Sequence, residues 1–432
     1  MNISRLDKLV HELSDGDALA DARSLRTVDI DIVVEPGDSR KLAVMTSTAL
    51  ALAMRCFLGK IRLCLPKAVA ASPGSPWRPG TLLDQLTEDA HLYCASSRVE
   101  IVVDGVPELR ARLGVGCRVE GGVFADASGW LAAVNQTFAI GEPAIAPACV
   151  VAVCFATAKL FAREVLRDAA REDESWIFSL ADFDHTSICS IPAPLADLDL
   201  GCLGLLGAGA IGNGFAYTLM HSGWRAQLDV IDCQRYDEPN QETSILLSVE
   251  EAIGRREKAI VLAELARRPG LQTQPIHTSE PVTACSPVLQ HRRDAFVVAV
   301  DNPETRRELD QADATVLLNA GVGGTALDAG HLVITRHLPT DPPLSSRYRE
   351  RHAAASDGSL RIPAEFRNDA CSSIPYRDVS LAAPFMGVAA GALLAAHVAH
   401  RALSSWPGTN YLKLDLLALQ SKLIRELKVR AA

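Results

Sequence analysis

One stretch limits the folds open to this chain more than any other: LLGAGAIGNG, from Leu205 to Gly214. It follows an apolar run and opens into a helical pattern. It therefore reads as a strand end, a glycine turn and a helix N-terminus. Gly207, Gly209 and Gly212 form G-x-G-x-x-G. Glycines at those places permit a tight turn and close backbone approach, and the helix N-terminus offers N–H groups and a positive dipole to phosphate. AQLDVID supplies the next strand and ends at Asp232, where a carboxylate can accept hydrogen bonds from ribose hydroxyls. The expectation is an α/β unit with a doubly wound, mainly parallel sheet and a nucleotide at its carboxyl edge. A dinucleotide fits these residues as well as a nucleoside triphosphate does, and a glycine turn without a ligand is the plainer alternative.

The residues downstream separate those ligands. DCQRYDEPNQ brings Asn240 after Asp232, IGRREKA brings Lys258, and VVAVDNPETRREL puts Asp301 and Asn302 at a further strand end. In a doubly wound sheet such strand ends converge on one crevice. Hydride transfer has no need of a lysine and a second carboxylate at the phosphates. Phosphate-cleaving chemistry does: the ammonium offsets charge and the aspartate holds Mg²⁺. A dinucleotide-dependent oxidoreductase would leave Lys258 and Asp301 idle.

The first half repeats the pattern without the glycines. VDIDIVVEPG, RKLAVMTSTALALAMRCFL and KIRLCL read as strand, helix and strand, and a proline-led helix of small residues follows at Pro143 as another does at Pro384. Such self-similarity suggests two related units in one chain. VVEPGDSRK stands where the second half has LLGAGAIGN, and its proline and acidic residues would obstruct a phosphate. We place the boundary near Pro192, giving a degenerate unit at 1–192 and a nucleotide-binding unit at 193–432. From about 340 to 383 the pattern dissolves into a polar, proline-containing segment that carries Cys371; loops of that length are usually functional or mobile.

The order G-x-G-x-x-G, D-x(7)-N, I-G-x-x-x-K-A and D-N-x-x-x-R resembles the ThiF/MoeB/ubiquitin-activating-enzyme superfamily over about Leu203 to Leu403. The resemblance implies an α/β fold of two Rossmann-like adenylation units, the first degenerate. It implies Mg²⁺ and ATP as cofactors and a ubiquitin-like protein as partner, adenylated at its C-terminal glycine. By position Asp232 matches the ribose-binding aspartate, Asn240 and Lys258 the phosphate-holding residues, and Asp301 the magnesium-associated aspartate, with Asn302 beside it. Cys371 lies where ubiquitin-activating relatives carry the cysteine that takes the acyl group as a thioester and passes it to a conjugating enzyme. The compact activating enzymes of bacterial ubiquitin-like conjugation are the nearest analogy. One departure is plain: the family's N-x-x-R-Q has Thr243 in place of its arginine. A partner-unit arginine often reaches the phosphates in this family, and Arg23 and Arg26 are candidates for it, a solvated helix face being the plainer reading of either. Paired units leave both a self-sufficient monomer and a homodimer open. Two alternatives stand: adenylation for sulfur transfer without a thioester, and a catalytically weak pseudo-activating subunit that only binds a ubiquitin-like partner.

Composition narrows the remainder. The net charge of the 432 residues is -9, which gives no general pull toward nucleic acid or anionic lipid. Eleven cysteines occur, none in a C-x-x-C pair, so no four-thiolate zinc site is expected. The charged N-terminus has no apolar signal core, which predicts a reducing cytoplasm and free thiols. PAIAPACVVAVCFATA and LAAPFMGVAAGALLAA imitate membrane spans, but each is about sixteen residues, short of the roughly 20 a span needs, and reads as a buried helix. The cysteines other than Cys371 sit mainly in apolar runs and read as buried. His397 and His400 read as a helix surface.

Overall fold

The computed structural model describes residues 4, 6–7, 9–10, 19–75, 77–93, 98–139, 141–167, 175–183, 191–323, 330–344, 359–361, 373–375, 383–407 and 410–417. Two seven-stranded sheets organise them. The first contains β1 (Ile30–Val34), β2 (Ile61–Leu65), β3 (Val99–Val103), β4 (Ala111–Val115), β5 (Val123–Ser128), β6 (Leu131–Val134) and β7 (Trp176–Ser179). The second contains β8 (Asp199–Leu206), β9 (Arg225–Asp232), β10 (Leu271–His277), β11 (Ala295–Val298), β12 (Leu317–Val322), β13 (His331–His337) and β16 (Tyr411–Asp415). Two short strands, β14 (Ser359–Arg361) and β15 (Ser373–Pro375), pair antiparallel inside the segment read as patternless.

Strand order is the same in both sheets. It runs β3-β2-β1-β4-β5-β6-β7 in the first and β10-β9-β8-β11-β12-β13-β16 in the second. In each, the first five strands pair in parallel and the last two join antiparallel. The chain is thus α/β with two Rossmann-like units, as the repeated pattern predicts. The strands read from sequence, from VDIDIVV to TVLLNAGV, all form.

Among the helices are α1 (Leu19–Leu25), which precedes β1, and α2 (Ser39–Cys56), α3 (Leu82–Tyr93), α4 (Ala146–Glu164), α5 (Ala210–Ser222), α6 (Asn240–Thr243), α7 (Val249–Ile253), α8 (Lys258–Ala266), α9 (Pro303–Glu308) and α10 (Pro384–Ala402). Asp38 caps α2 by accepting the Lys41 N–H at 2.7 Å. Gly223, at φ 73°, ends α5 in the left-handed region. The helices α4 and α10, each 19 residues, are long and apolar enough to cross a membrane by length and composition, yet nearly all of their residues are buried inside the protein. They pack against each other, and with α2 and α5 they fill the space between the two units. One apolar cluster runs from Ile30 and Phe155 in the first unit to Leu205 and Leu393 in the second.

Small residues set how close these helices come. A Cβ on Gly214 would lie 2.6 Å from Val388 Cα, and one on Gly391 would collide with the Phe215 nitrogen. So α5 and α10 cross backbone to backbone, which requires glycine at the crossing. The same crossing holds the N-terminal turn of α5, and with it the glycine loop, against the core.

Candidate functional site

The strands β9, β8 and β11 are parallel neighbours, so their carboxyl ends share one edge of the second sheet. Gly207 leaves β8 at φ 101°, and a Cβ there would sit 2.7 Å from Ala299 O just beyond β11. A Cβ on Gly212 would collide with Gly207 O. These two glycines are therefore demanded by the loop itself. Gly209 differs: it is the N-cap of α5 with no side-chain cap, and nothing lies within 4 Å of where its Cβ would be. The N-terminus of a 13-residue helix thus opens onto free space, the arrangement that favours an anion.

Asp232 braces this loop. Its Oδ2 accepts the Ala208 N–H and its Oδ1 accepts the Gln234 N–H, both at 2.7 Å. A second brace was not read from the sequence. Tyr236 Oη donates to Ala208 O at 2.6 Å, while Asn213 Nδ2 donates to Ala208 O at 2.9 Å, Gly209 O at 3.0 Å and Tyr236 Oη at 2.8 Å. Tyr236 and Asn213 are both fully buried or nearly so. Their signal was adjacency: Asn213 directly follows Gly212, and Tyr236 lies midway between Asp232 and Asn240.

Lys258 begins α8. Its Nζ donates to Gln234 Oε1 at 2.8 Å and lies 5.7 Å from the centre of the Tyr236 ring. Lysine, Gln234 and Tyr236 are therefore one cluster beside the loop that Asp232 and Tyr236 hold. Asn240 is buried at the start of α6, and its Oδ1 accepts the Asp237 N–H at 3.1 Å. Thr243, where the family's arginine would stand, is 1% exposed with Oγ1 3.4 Å from Asn240 O. Asp301 is exposed just past β11, and Asn302 precedes α9. Arg235, exposed, is paired with Glu257. Cys371 lies outside the described residues. Of the cysteines described, Cys202 and Cys285 are exposed and Cys233 is half-exposed, so the reading of buried thiols holds only for the others. Burial, then the Asp232 charge, push the Cys233 thiol up.

The corresponding corner of the first unit is filled. Lys41 stands three residues past the N-cap Asp38, as Gly212 stands three past the N-cap Gly209. Its Nζ reaches Asp126 Oδ1 on β5 at 3.0 Å and Ala127 O at 3.2 Å, and both ionic side chains are buried. Asp126 Oδ2 also accepts the Phe138 N–H at 2.6 Å. A buried ion pair occupies this corner, and the helix N-terminus is already capped by a carboxylate.

Two readings need correction. Arg26 is wholly buried and bonded to Cys56 O, Arg55 O, Ser4 and the carboxylates of Asp7 and Glu242, so it is a fixed cross-link. His397 and His400 lie on no surface. They are 2% and 0% exposed because α10 is enclosed between the two units. His400 Nε2 lies 2.8 Å from Leu180 O, and His397 stacks on Phe183 at 4.0 Å.

Residues 201–405 match the family model described as the BilD C-terminal domain, just under half of the chain. No curated protein matches. Among solved structures, E. coli MccB with succinimide is 15% identical with a TM-score of 0.34, covering 50% of this chain and 60% of its own. E. coli TcdA in complex with AMP is 19% identical with a TM-score of 0.33, covering 47% of this chain and 86% of its own. PaaA is 15% identical with a TM-score of 0.36, covering 51% and 71%. The chain thus spans about three fifths of the MccB it matches. The BilD match and the motif order fall on the same unit of the chain.

Proposed function

We propose that the second unit binds Mg-ATP and adenylates the C-terminal glycine of a ubiquitin-like protein. The observation that carries this reading is the shared edge of β9, β8 and β11. There an open helix N-terminus at Gly209 stands beside the Asp232 brace and the cluster of Lys258, Gln234 and Tyr236. The match of residues 201–405 to the BilD C-terminal domain supports it from the sequence side. MccB has been seen with MccA and AMPCPP, and TcdA with AMP.

In this reading the ribose lies toward Asp232 and the phosphates toward Gly209, Asn240 and Lys258. The partner's carboxylate oxygen attacks the α-phosphorus, the α–β bridging bond breaks, and pyrophosphate leaves. Lys258 offsets the charge that moves onto the leaving oxygens. Magnesium would supply further neutralisation at the phosphates, with Asp301 holding it and Asn302 beside it on the nucleotide; one or two carboxylates plus phosphate oxygens suffice for that ion. Cys371 then displaces AMP to form a thioester, from which the acyl group passes to a cysteine of a conjugating enzyme.

Incubation with Mg-ATP and a candidate ubiquitin-like protein tests the sequence of steps. The expected product is a gel band shifted by the partner's mass, lost with thiol reductant and absent in Cys371→Ala. ATP–pyrophosphate exchange without that band would favour sulfur transfer. Binding of the partner without exchange would make the chain a pseudo-activating subunit, the reading that the buried Thr243 supports.

A further inference from the structure

The short turn that carries Asn240 is held from the first unit on several sides. Arg55, near the end of α2 and 2% exposed, sends its guanidinium across to the chain just after Asn240. Its Nε donates to Gln241 O at 3.2 Å. Its Nη2 donates to Ser244 O at 3.3 Å, Ile245 O at 2.8 Å and Leu247 O at 3.2 Å. Nη1 is tied back to Ala51 O at 3.0 Å. Arg26 braces this arginine from behind: its Nη2 donates to Arg55 O at 2.7 Å, and its Nη1 lies 3.4 Å from Glu242 Oε1 on the same turn. Ser4 Oγ donates to Glu242 Oε2 at 2.6 Å, and Gln241 Nε2 donates to Tyr93 O at 3.2 Å.

Carbonyl oxygens of loops normally turn to solvent or to their own secondary structure. Here the carbonyls of Gln241, Ser244, Ile245 and Leu247 point at one planar donor from another unit. A guanidinium has five N–H donors in a fixed fork, so it fixes the relative placement of the groups it binds. A lysine could reach one or two of them only. Arg55 therefore prescribes the path of residues 241–247, and that path sets where Asn240 begins α6.

We propose that Arg55, braced by Arg26, is a positioning residue for the triphosphate side of the nucleotide site, acting through Asn240. The proposal rests on the nucleotide reading above. It assigns the first unit a task even though its own corner is filled by Lys41 and Asp126: it holds the neighbouring unit's phosphate-side turn. It also accounts for Thr243, since a turn fixed from behind by Arg55 buries the position where the family places its arginine.

The test compares two ligands in solution on the full chain, the ATP analogue AMPCPP with Mg²⁺ and adenosine, both by calorimetric titration. In Arg55→Lys and in Glu242→Ala, AMPCPP affinity is expected to fall about tenfold, equivalent to about 1.4 kcal/mol. Adenosine affinity should stay within about twofold, because the ribose side hangs on Asp232 and the glycine loop. Equal loss of both ligands, or loss of neither, in a variant with the parent's melting temperature overturns the inference. Where Arg55→Lys fails to fold, Glu242→Ala decides alone, since its side chain is 21% exposed and lies at the edge of the contact. Failure of the unaltered chain to bind either ligand instead removes the nucleotide reading, and is distinguishable from both outcomes.

Discussion

At the scale of single residues, the site depends on where a side chain is forbidden and where one hydroxyl is placed. Gly212→Ala puts a methyl against Gly207 O, so the loop must open. AMPCPP affinity is expected to drop at least about tenfold by titration, and an unchanged value would mean that this loop is not the phosphate floor. Tyr236→Phe keeps the ring under Lys258 but removes the donor to Ala208 O. A neutral hydrogen bond contributes about 1 kcal/mol, so roughly fivefold weaker binding is expected, with Tyr236→Leu weaker still. Asp301→Ala should slow ATP–pyrophosphate exchange about 10²-fold or more, the usual cost of one electrostatic group in the transition state. Intact exchange would remove the magnesium role. The sequence places the glycines, Asp232 and Asp301 at or just past strand ends, and the structure has them there, because strand and helix periodicity is a local property; Asn240 and Lys258 open helices beyond β9. For Tyr236 and Asn213 the sequence shows only adjacency to the loop and to Asp232; that they and Gln234 close on one carbonyl and one ammonium is set by the fold.

At the scale of elements, the two units share strand order but differ in the first turn of the helix after the first strand. The second unit keeps Gly212 there, and the first has Lys41 bonded to Asp126. Removing one partner of a buried ion pair leaves an uncompensated charge. Asp126→Asn is expected to cost about 3–5 kcal/mol in denaturant unfolding, and Lys41→Met with Asp126→Leu considerably less than that. A small cost for the single change would show that solvent reaches the pair. The proline and acidic residues of VVEPGDSRK point to a corner that would obstruct a phosphate. The ion pair that fills the corner was not foreseeable, because Asp126 is far from Lys41 in sequence and meets it only through the adjacent placement of β1, β4 and β5.

At the scale of the whole molecule, the packed layer of α2, α4, α5 and α10 joins the units into one core, and its buried histidines make that core sensitive to acid. Burial holds His221 down to about 3, and it likewise lowers His397 and His400. His221 Nδ1 lies 3.0 Å from Ser75 Oγ, a contact made between the units. These groups are neutral when folded, while the unfolded chain takes up protons below about pH 6.5. Their stabilising contribution is therefore complete above that pH and is lost progressively as pH falls toward about 3 for His221. Thermal melting should show one transition for both units, moving down as pH is lowered through 6 and 5, with a shallower slope in His221→Gln. Two separate transitions would contradict the shared core. The sequence by itself determined the local chemistry: alternating strands and helices, a glycine loop, and the polar residues at strand ends, because these follow from short-range sterics and periodicity. Only the tertiary structure decided that His397 and His400 are buried, that Arg26 is locked, and that Arg55 grips the turn after Asn240. Each of those depends on which surfaces the two units turn toward each other, and that is fixed by close helix packing across the whole chain.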